Sequence, residues 1–144
     1  MQSPEALTDL FRANGRKITA QRQCIFRALK DDVTHPSAER VHEKVRRDMP
    51  NVSLKTVYQT LNDLAELGAI SVLDVGTGSV RFDPNVETTH HHLVCRSCGK
   101  VRDLAADFRG LTVSPRAAQG FAVDSAEVVF RGRCDECRGS EILQ

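Results

Sequence analysis

No apolar run in this 144-residue sequence approaches the roughly 18 residues that a membrane-spanning helix needs. The opening stretch, MQSPEALTDLF, lacks the charged start and apolar middle of a secretory signal. Both absences predict an intracellular, cytoplasmic protein with no membrane partner, in which paired cysteines bind metal more readily than they form disulfides. There is also no excess of charge of either sign. The formal net charge is +1, so no global field advertises a polyanionic partner. Internal repeats and low-complexity tracts are missing. So are a general base, a nucleophile and an oxyanion motif in company with the histidines, which argues against an enzyme.

What is present has the texture of a globular protein, with 40% hydrophobic and 27% charged residues. The length allows one ordinary domain or two small ones. The first half reads helical, with clear stops and starts. SPEALTDLFRANG offers Ser3 as N-cap, Pro4 at the first helical position and Gly15 as terminator. ITAQRQCIFRALK starts at Thr19, PSAERVHEKVRRDMP at Ser37, and NVSLKTVYQTLNDLAELG at Ser53. Each carries an apolar stripe at helical spacing. The last two helices, joined by about five residues (DMPNV), predict a helix-turn-helix. AISVLDVGTGSVRFD follows, two β-prone runs around Gly76-Thr77-Gly78 that read as a hairpin. Helices, helix-turn-helix and then hairpin is the order of a winged helix. Its basic segment, with Arg12, Arg16, Lys17, Arg22, Arg27 and Lys30 and no acidic residue between Arg12 and Lys30, can meet phosphates or simply be solvated.

Beyond residue 84 the texture changes. HHHLVC, KVRDL, FAVD and EVVFRGRC read as strands, with a short helix after Ser114-Pro115 that ends at Gly120. The predicted fold is therefore α+β, with an amino-terminal domain over residues 1–84 and a smaller α/β domain over 85–144. A module that small commonly needs a metal staple.

Four of the five cysteines supply one: Cys95-x-x-Cys98 and Cys134-x-x-Cys137. Two-residue spacing lets both thiolates of a tight turn reach the same tetrahedral ion, and two such turns complete a closed, structural four-cysteine zinc site. Four thiolates on a divalent ion leave a charge of −2, which Arg96, Lys100, Arg133 and Arg138 can offset. A thioredoxin-like redox role is the rival reading, but no βαβ pattern accompanies the motif. Cys24, a singleton on an apolar helix edge, reads as a core thiol.

The histidines make a second group. On a strand, His90 and His92 point one way while His91, Leu93 and Cys95 point the other. His90-x-His92 is thus a claw separate from the thiolates. Asp83, Asp103 and His35 are candidate partners, although spacing does not choose His35 over His42, for which a solvated helix face is the plainer role. Three imidazoles and two carboxylates would suit Fe(II) or Mn(II) at least as well as Zn(II).

GRKITAQRQ, HPSAERVHEKV, VSLKTVYQTLNDLAELGAI, RFD, HHHLVCRSCGKVRD and CDEC occur in the order found in the ferric uptake regulator (Fur) superfamily. The resemblance covers nearly the whole chain. It implies an amino-terminal winged helix-turn-helix DNA-binding domain and a carboxy-terminal α/β dimerisation domain. It also implies a cytoplasmic homodimer that represses transcription by binding a palindromic double-stranded DNA operator when metal is present. Within the superfamily the chain is most similar to the peroxide-sensing branch, PerR, whose regulatory metal site maps onto His35, Asp83, His90, His92 and Asp103. Aspartate at positions 83 and 103, where iron-uptake members more often carry glutamate, favours that branch. An iron-responsive or other metal-uptake repressor is the alternative.

From the resemblance, Zn²⁺ is expected at the cysteines and Fe²⁺ or Mn²⁺ at the regulatory set. His35 and His90 are the candidates for oxidation by peroxide, and the response would be to peroxide stress. The recognition helix is expected over residues 54–67, directing Lys55, Thr56, Tyr58, Gln59 and Asn62 to DNA, with Arg16, Lys17 and Arg22 available for phosphates.

Overall fold

The computed structural model describes residues 1–139; the end of the expected second domain, residues 140–144, lies outside the described residues. The chain divides into two compact units, Met1–Thr88 and one beginning at Thr89.

The first unit holds four helices: α1 (Pro4–Ala13), α2 (Ala20–Leu29), α3 (Ala38–Val45) and α4 (Leu54–Glu66). Each starts on a hydroxyl. Ser3, Thr19, Ser37 and Ser53 accept hydrogen bonds from the backbone N–H groups of Ala6, Arg22, Arg40 and Thr56. Such a cap stabilises a helix by about 1 kcal/mol, and it fixes where each begins. The apolar stripes meet in one core that includes Leu7, Phe11, Phe26, Val41, Leu61 and Phe82. Phe11 and Phe26 pack edge to face, with ring centroids 5.0 Å apart, the arrangement favoured by the ring quadrupoles.

The connection from α3 to α4 spans residues 46–53, longer than the five-residue linker expected. Helix α3 gives way to turns in which the N–H groups of Asp48 and Met49 both bond to the Val45 carbonyl. His42 then reaches across, its Nε2 2.9 Å from the Val52 carbonyl oxygen. A carbonyl can only accept, so Nε2 carries the proton. His42 therefore pins the turn rather than sitting on a solvated face as expected.

Strands β1 (Ser71–Leu73) and β2 (Arg81–Asp83) form the wing, antiparallel, with Val72 opposite Phe82. The loop between them runs over residues 74–80. Gly76 and Gly78 take φ of +73° and +93°, a region open to glycine at little cost.

In the second unit β3 (His91–Cys95) is the central strand of three. It pairs antiparallel with β4 (Val101–Leu104) and parallel with β5 (Val129–Gly132). The short helix α5 (Pro115–Ala118) starts on Ser114 as expected, and α6 (Asp135–Arg138) follows β5. The strand expected at FAVD does not form. That stretch pairs with none of the three strands, and Phe121 and Val123 stay exposed, so no packing against the sheet holds it extended.

Candidate metal centres

The thiolate group is assembled by the sheet. Cys95 ends β3. Cys98 follows on a tight turn closed by the Gly99 N–H on the Cys95 carbonyl, 2.9 Å. Cys134 stands at the N-cap of α6 and Cys137 lies within the helix. Parallel pairing of β3 with β5 places Cys95 opposite Gly132 and so brings the second pair alongside the first. One sulfur from each of the four lies within 4.8 Å of the others. The Cys98 and Cys134 sulfurs are 3.7 Å apart. A disulfide would need about 2.05 Å, whereas sulfurs about 2.3 Å from a tetrahedral zinc ion lie about 3.8 Å from one another. That separation fits two thiolates of a tetrahedral zinc shell.

Proton affinities within the group are pulled apart. Backbone N–H groups of Cys98, and next of Cys134, draw the Cys95 thiol down to about 6. Hydrogen bonds with Cys98 and then Cys134 push Cys137 up to about 12. Sulfurs that share protons in this way are set to exchange them for one cation. Lys100, expected to offset the charge of the group, pairs with Glu136 at 2.5 Å. Cys24 is buried in the first unit.

The imidazoles and carboxylates are preassembled within each unit. In the first, His35 adopts φ of +52°, rare for a residue with a side chain, although the residue before a proline is normally extended. Such strain costs on the order of 1–3 kcal/mol and collects at functional sites. The wing is tied to this loop twice: the Phe82 N–H bonds to the Pro36 carbonyl at 3.0 Å, and an Arg81 Nη1 bonds to the His35 carbonyl at 3.2 Å. The Asp83 side chain accepts from the Asn85 N–H through Oδ1 at 2.8 Å. That leaves Oδ2 toward His35, 3.6 Å from its Nε2.

In the second unit, Asp103 Oδ1 lies 3.4 Å from His90 Nε2 and 3.7 Å from His92 Nε2. Both separations exceed a good hydrogen bond; the first falls within the roughly 3–3.5 Å between two donors each about 2.1 Å from a shared ion, and the second lies just beyond it. The first unit thus offers an imidazole and a carboxylate, His35 and Asp83, and the second two imidazoles and a carboxylate, His90, His92 and Asp103. With no sulfur among them, these groups fit Fe(II) or Mn(II).

His91 takes a different part. Its ring packs on Phe108 at 4.8 Å, and its Nδ1 accepts from the Val128 N–H at 3.1 Å. Glu127, which the sequence reading passed over, lies 2.6 Å from His92 Nδ1. No spacing rule finds a partner 35 positions away; only the register of β5 brings it there.

On α4, Lys55, Gln59 and Asn62 are exposed, while Thr56 and Tyr58 are half-buried. The Tyr58 hydroxyl donates to Glu39 at 2.7 Å. Arg16 and Arg22 bind opposite oxygens of the buried Asp63 carboxylate, at 2.6 and 2.9 Å, and Arg16 also reaches Glu66. Lys17 is exposed.

A winged helix-turn-helix followed by a thiolate-stapled α/β unit, with histidine and aspartate donors in both, defines a metal-binding transcription regulator. The family model described as "Ferric uptake regulator family" matches residues 13–131. A peroxide-responsive repressor, PerR, of Staphylococcus aureus is 35% identical over 137 residues, covering 93% of this chain and 90% of that protein. Among solved structures, the Helicobacter pylori ferric uptake regulator Fur, described with three functional metal-binding sites, has a TM-score of 0.74 at 26% identity and covers 95% and 92% of the two chains. PerR from Streptococcus pyogenes has a TM-score of 0.53 at 27% identity, over 95% and 94%. The chain belongs to the ferric uptake regulator family, whose role is transcription regulation and not catalysis.

Proposed function

We propose that this chain is a metal-dependent, peroxide-responsive repressor that acts in the cytoplasm as a homodimer on a palindromic operator. The observation that carries the reading is the sulfur-free set of three histidines and two aspartates, with aspartate at both carboxylate positions. The peroxide-responsive relative in Staphylococcus aureus supports the same branch. Among the described residues, no helix is long and apolar enough to cross a membrane. Exposed Leu93 and Phe130 on the sheet of the second unit give a second copy an apolar surface to cover.

His35 and Asp83 from the first unit, with His90, His92 and Asp103 from the second, would hold one Fe(II) or Mn(II) ion. Fe(II) held there would supply the one-electron chemistry by which peroxide oxidises a ligating imidazole, with His35 and His90 the candidates. The residues themselves do the coupling. Each unit holds its donors ready, so gathering all five fixes one relation between the winged helix and the dimerisation unit. In a dimer this sets the separation of the recognition helices, which must match half-sites about one DNA turn apart. In this reading Lys17, Arg16 and Arg22, the last two paired with Asp63, meet phosphates, and Lys55, Thr56, Tyr58, Gln59 and Asn62 of α4 are the contacts to the operator.

The test is operator binding by protein loaded with Fe(II) or with Mn(II), each before and after a pulse of peroxide. Binding is expected in both metal forms and is lost after peroxide only with iron, with one added oxygen on a peptide containing His35 or His90. Unmodified histidines and undiminished binding after peroxide would transfer the chain to the iron-responsive reading.

A further inference from the structure

His92 is nearly enclosed, its side chain 3% exposed, with its two ring nitrogens committed in opposite directions. Nε2 looks toward Asp103, 3.7 Å away. Nδ1 lies 2.6 Å from Glu127 Oε1. A carboxylate accepts and an N–H must donate, so the short contact assigns the proton to Nδ1 and leaves the Nε2 lone pair on the side of Asp103. The neighbouring histidine is set the other way: the Val128 N–H donates to His91 Nδ1 at 3.1 Å, which places the His91 proton on Nε2. Two consecutive residues before β5 thus choose opposite tautomers for two consecutive residues of β3.

We infer that Glu127 is a positioning residue for metal capture, holding the His92 ring and its proton so that Nε2 alone presents a lone pair to the regulatory ion. The inference rests on the reading of His92 as a ligand. Glu127 does not coordinate, because it sits on the ring nitrogen opposite the one that faces Asp103. Its backbone is held firmly enough for the task. The His92 N–H bonds to the Val128 carbonyl at 3.1 Å, and His92 stands opposite Val129 in the parallel register. A carboxylate behind a ligating imidazole fixes ring rotation and makes the ligand more basic, and its removal commonly lowers metal affinity about 10–100-fold.

The experiment uses the full chain with its zinc retained, Mn(II) as the probe, and the variants Glu127→Leu, Glu127→Gln and Asp103→Ala. Free Mn(II) is followed by electron paramagnetic resonance, and the His92 tautomer by nitrogen NMR of protein without added manganese. Glu127→Leu is expected to weaken Mn(II) binding about 10–100-fold and to release the His92 proton from Nδ1. Glu127→Gln, whose amide oxygen still accepts, is expected to keep the tautomer and lose less affinity. Zinc content and circular dichroism stay as in the parent, since Glu127 is half-exposed. Wild-type affinity in Glu127→Leu, or a His92 proton on Nε2 in the parent, overturns the inference while a weakened Asp103→Ala keeps the metal site. If Asp103→Ala also binds Mn(II) like the parent, the ligand set itself is wrong and the inference falls with it.

Discussion

Asp103 stands directly opposite His92 in the antiparallel ladder of β3 and β4, so both side chains leave the same face of the sheet. His90, two positions back along the chain, shares that face. Its ring lies edge to face with that of His92 at 4.8 Å. One carboxylate oxygen therefore serves two imidazoles, and this half-site is built by register alone.

Asp103 is partly exposed, at 34%, so replacing it removes a donor without opening the core. Asp103→Ala should weaken Mn(II) binding by more than the roughly 10–100-fold attached to a residue behind a ligand, and abolish metal-dependent operator binding. Zinc content and thermal stability should hold. Manganese titration beside zinc analysis checks this; parallel loss of both metals would show that the aspartate supports the fold instead.

The thiolate group should behave in the reverse manner. Cys98 is exposed, so Cys98→Ser forfeits little packing and any collapse reports the lost ion. Structural zinc contributes on the order of 10 kcal/mol to folding in small modules, more than a unit of this size can replace from its core. Cys98→Ser is expected to lose zinc, the β3–β5 pairing and dimerisation, while α1–α4 and the wing keep their helical signal. Analytical ultracentrifugation with circular dichroism tests it. A zinc-free dimer would contradict it.

Much of this was readable before any coordinates. Ser3, Thr19, Ser37 and Ser53 announced the helix starts because an N-cap is a local event, decided within three residues. The Cys-x-x-Cys pairs were legible for the same reason: the tight turn is encoded in the spacing. Elements that depend on distant pairing were not. FAVD has strand composition, yet its apolar side chains Phe121 and Val123 stay exposed, so nothing tertiary holds it to the sheet. Glu127 carries no mark in sequence, because its place behind His92 is settled by a parallel crossover. His42 looked like a solvated surface residue until the longer turn after α3 brought the Val52 carbonyl to it. Burial on β3 also departs from plain alternation, with His91 and His92 both covered, since Phe108 packs over the His91 ring.

The basic residues expected to meet phosphates separate into two kinds. Lys55 is exposed, so Lys55→Ala should leave the melting temperature unchanged and reduce the salt slope of operator binding by about 1. Arg22 is different, because its guanidinium holds one oxygen of buried Asp63. Arg22→Ala leaves that carboxylate with Arg16 alone and should cost about 1–3 kcal/mol of stability. Thermal melts beside salt-dependent gel shifts distinguish the two. Equal stability of both variants would remove the Asp63 clamp from the account.

Tyr58 and Glu39 hold each other in a bond whose pH limits can be stated. The Tyr58 hydroxyl keeps the Glu39 carboxyl below its ordinary value of 4.5, and the Glu39 hydrogen bond raises the phenol above 10.0. For Glu39 the stabilising effect is complete above about 4.5 and fades as pH falls through the lowered value. For Tyr58 it is complete below about 10 and fades as pH rises through the raised one. At neutral pH the bond is therefore intact, and the only tyrosine of the chain is held against α3 instead of swinging freely. With no tryptophan present, the phenolate absorbance reports this residue alone. Glu39→Ala should move its ionisation down toward 10 and, by freeing the ring, weaken any operator contact that Tyr58 makes. An absorbance titration unchanged by the substitution would mean that Glu39 does not hold the hydroxyl in solution.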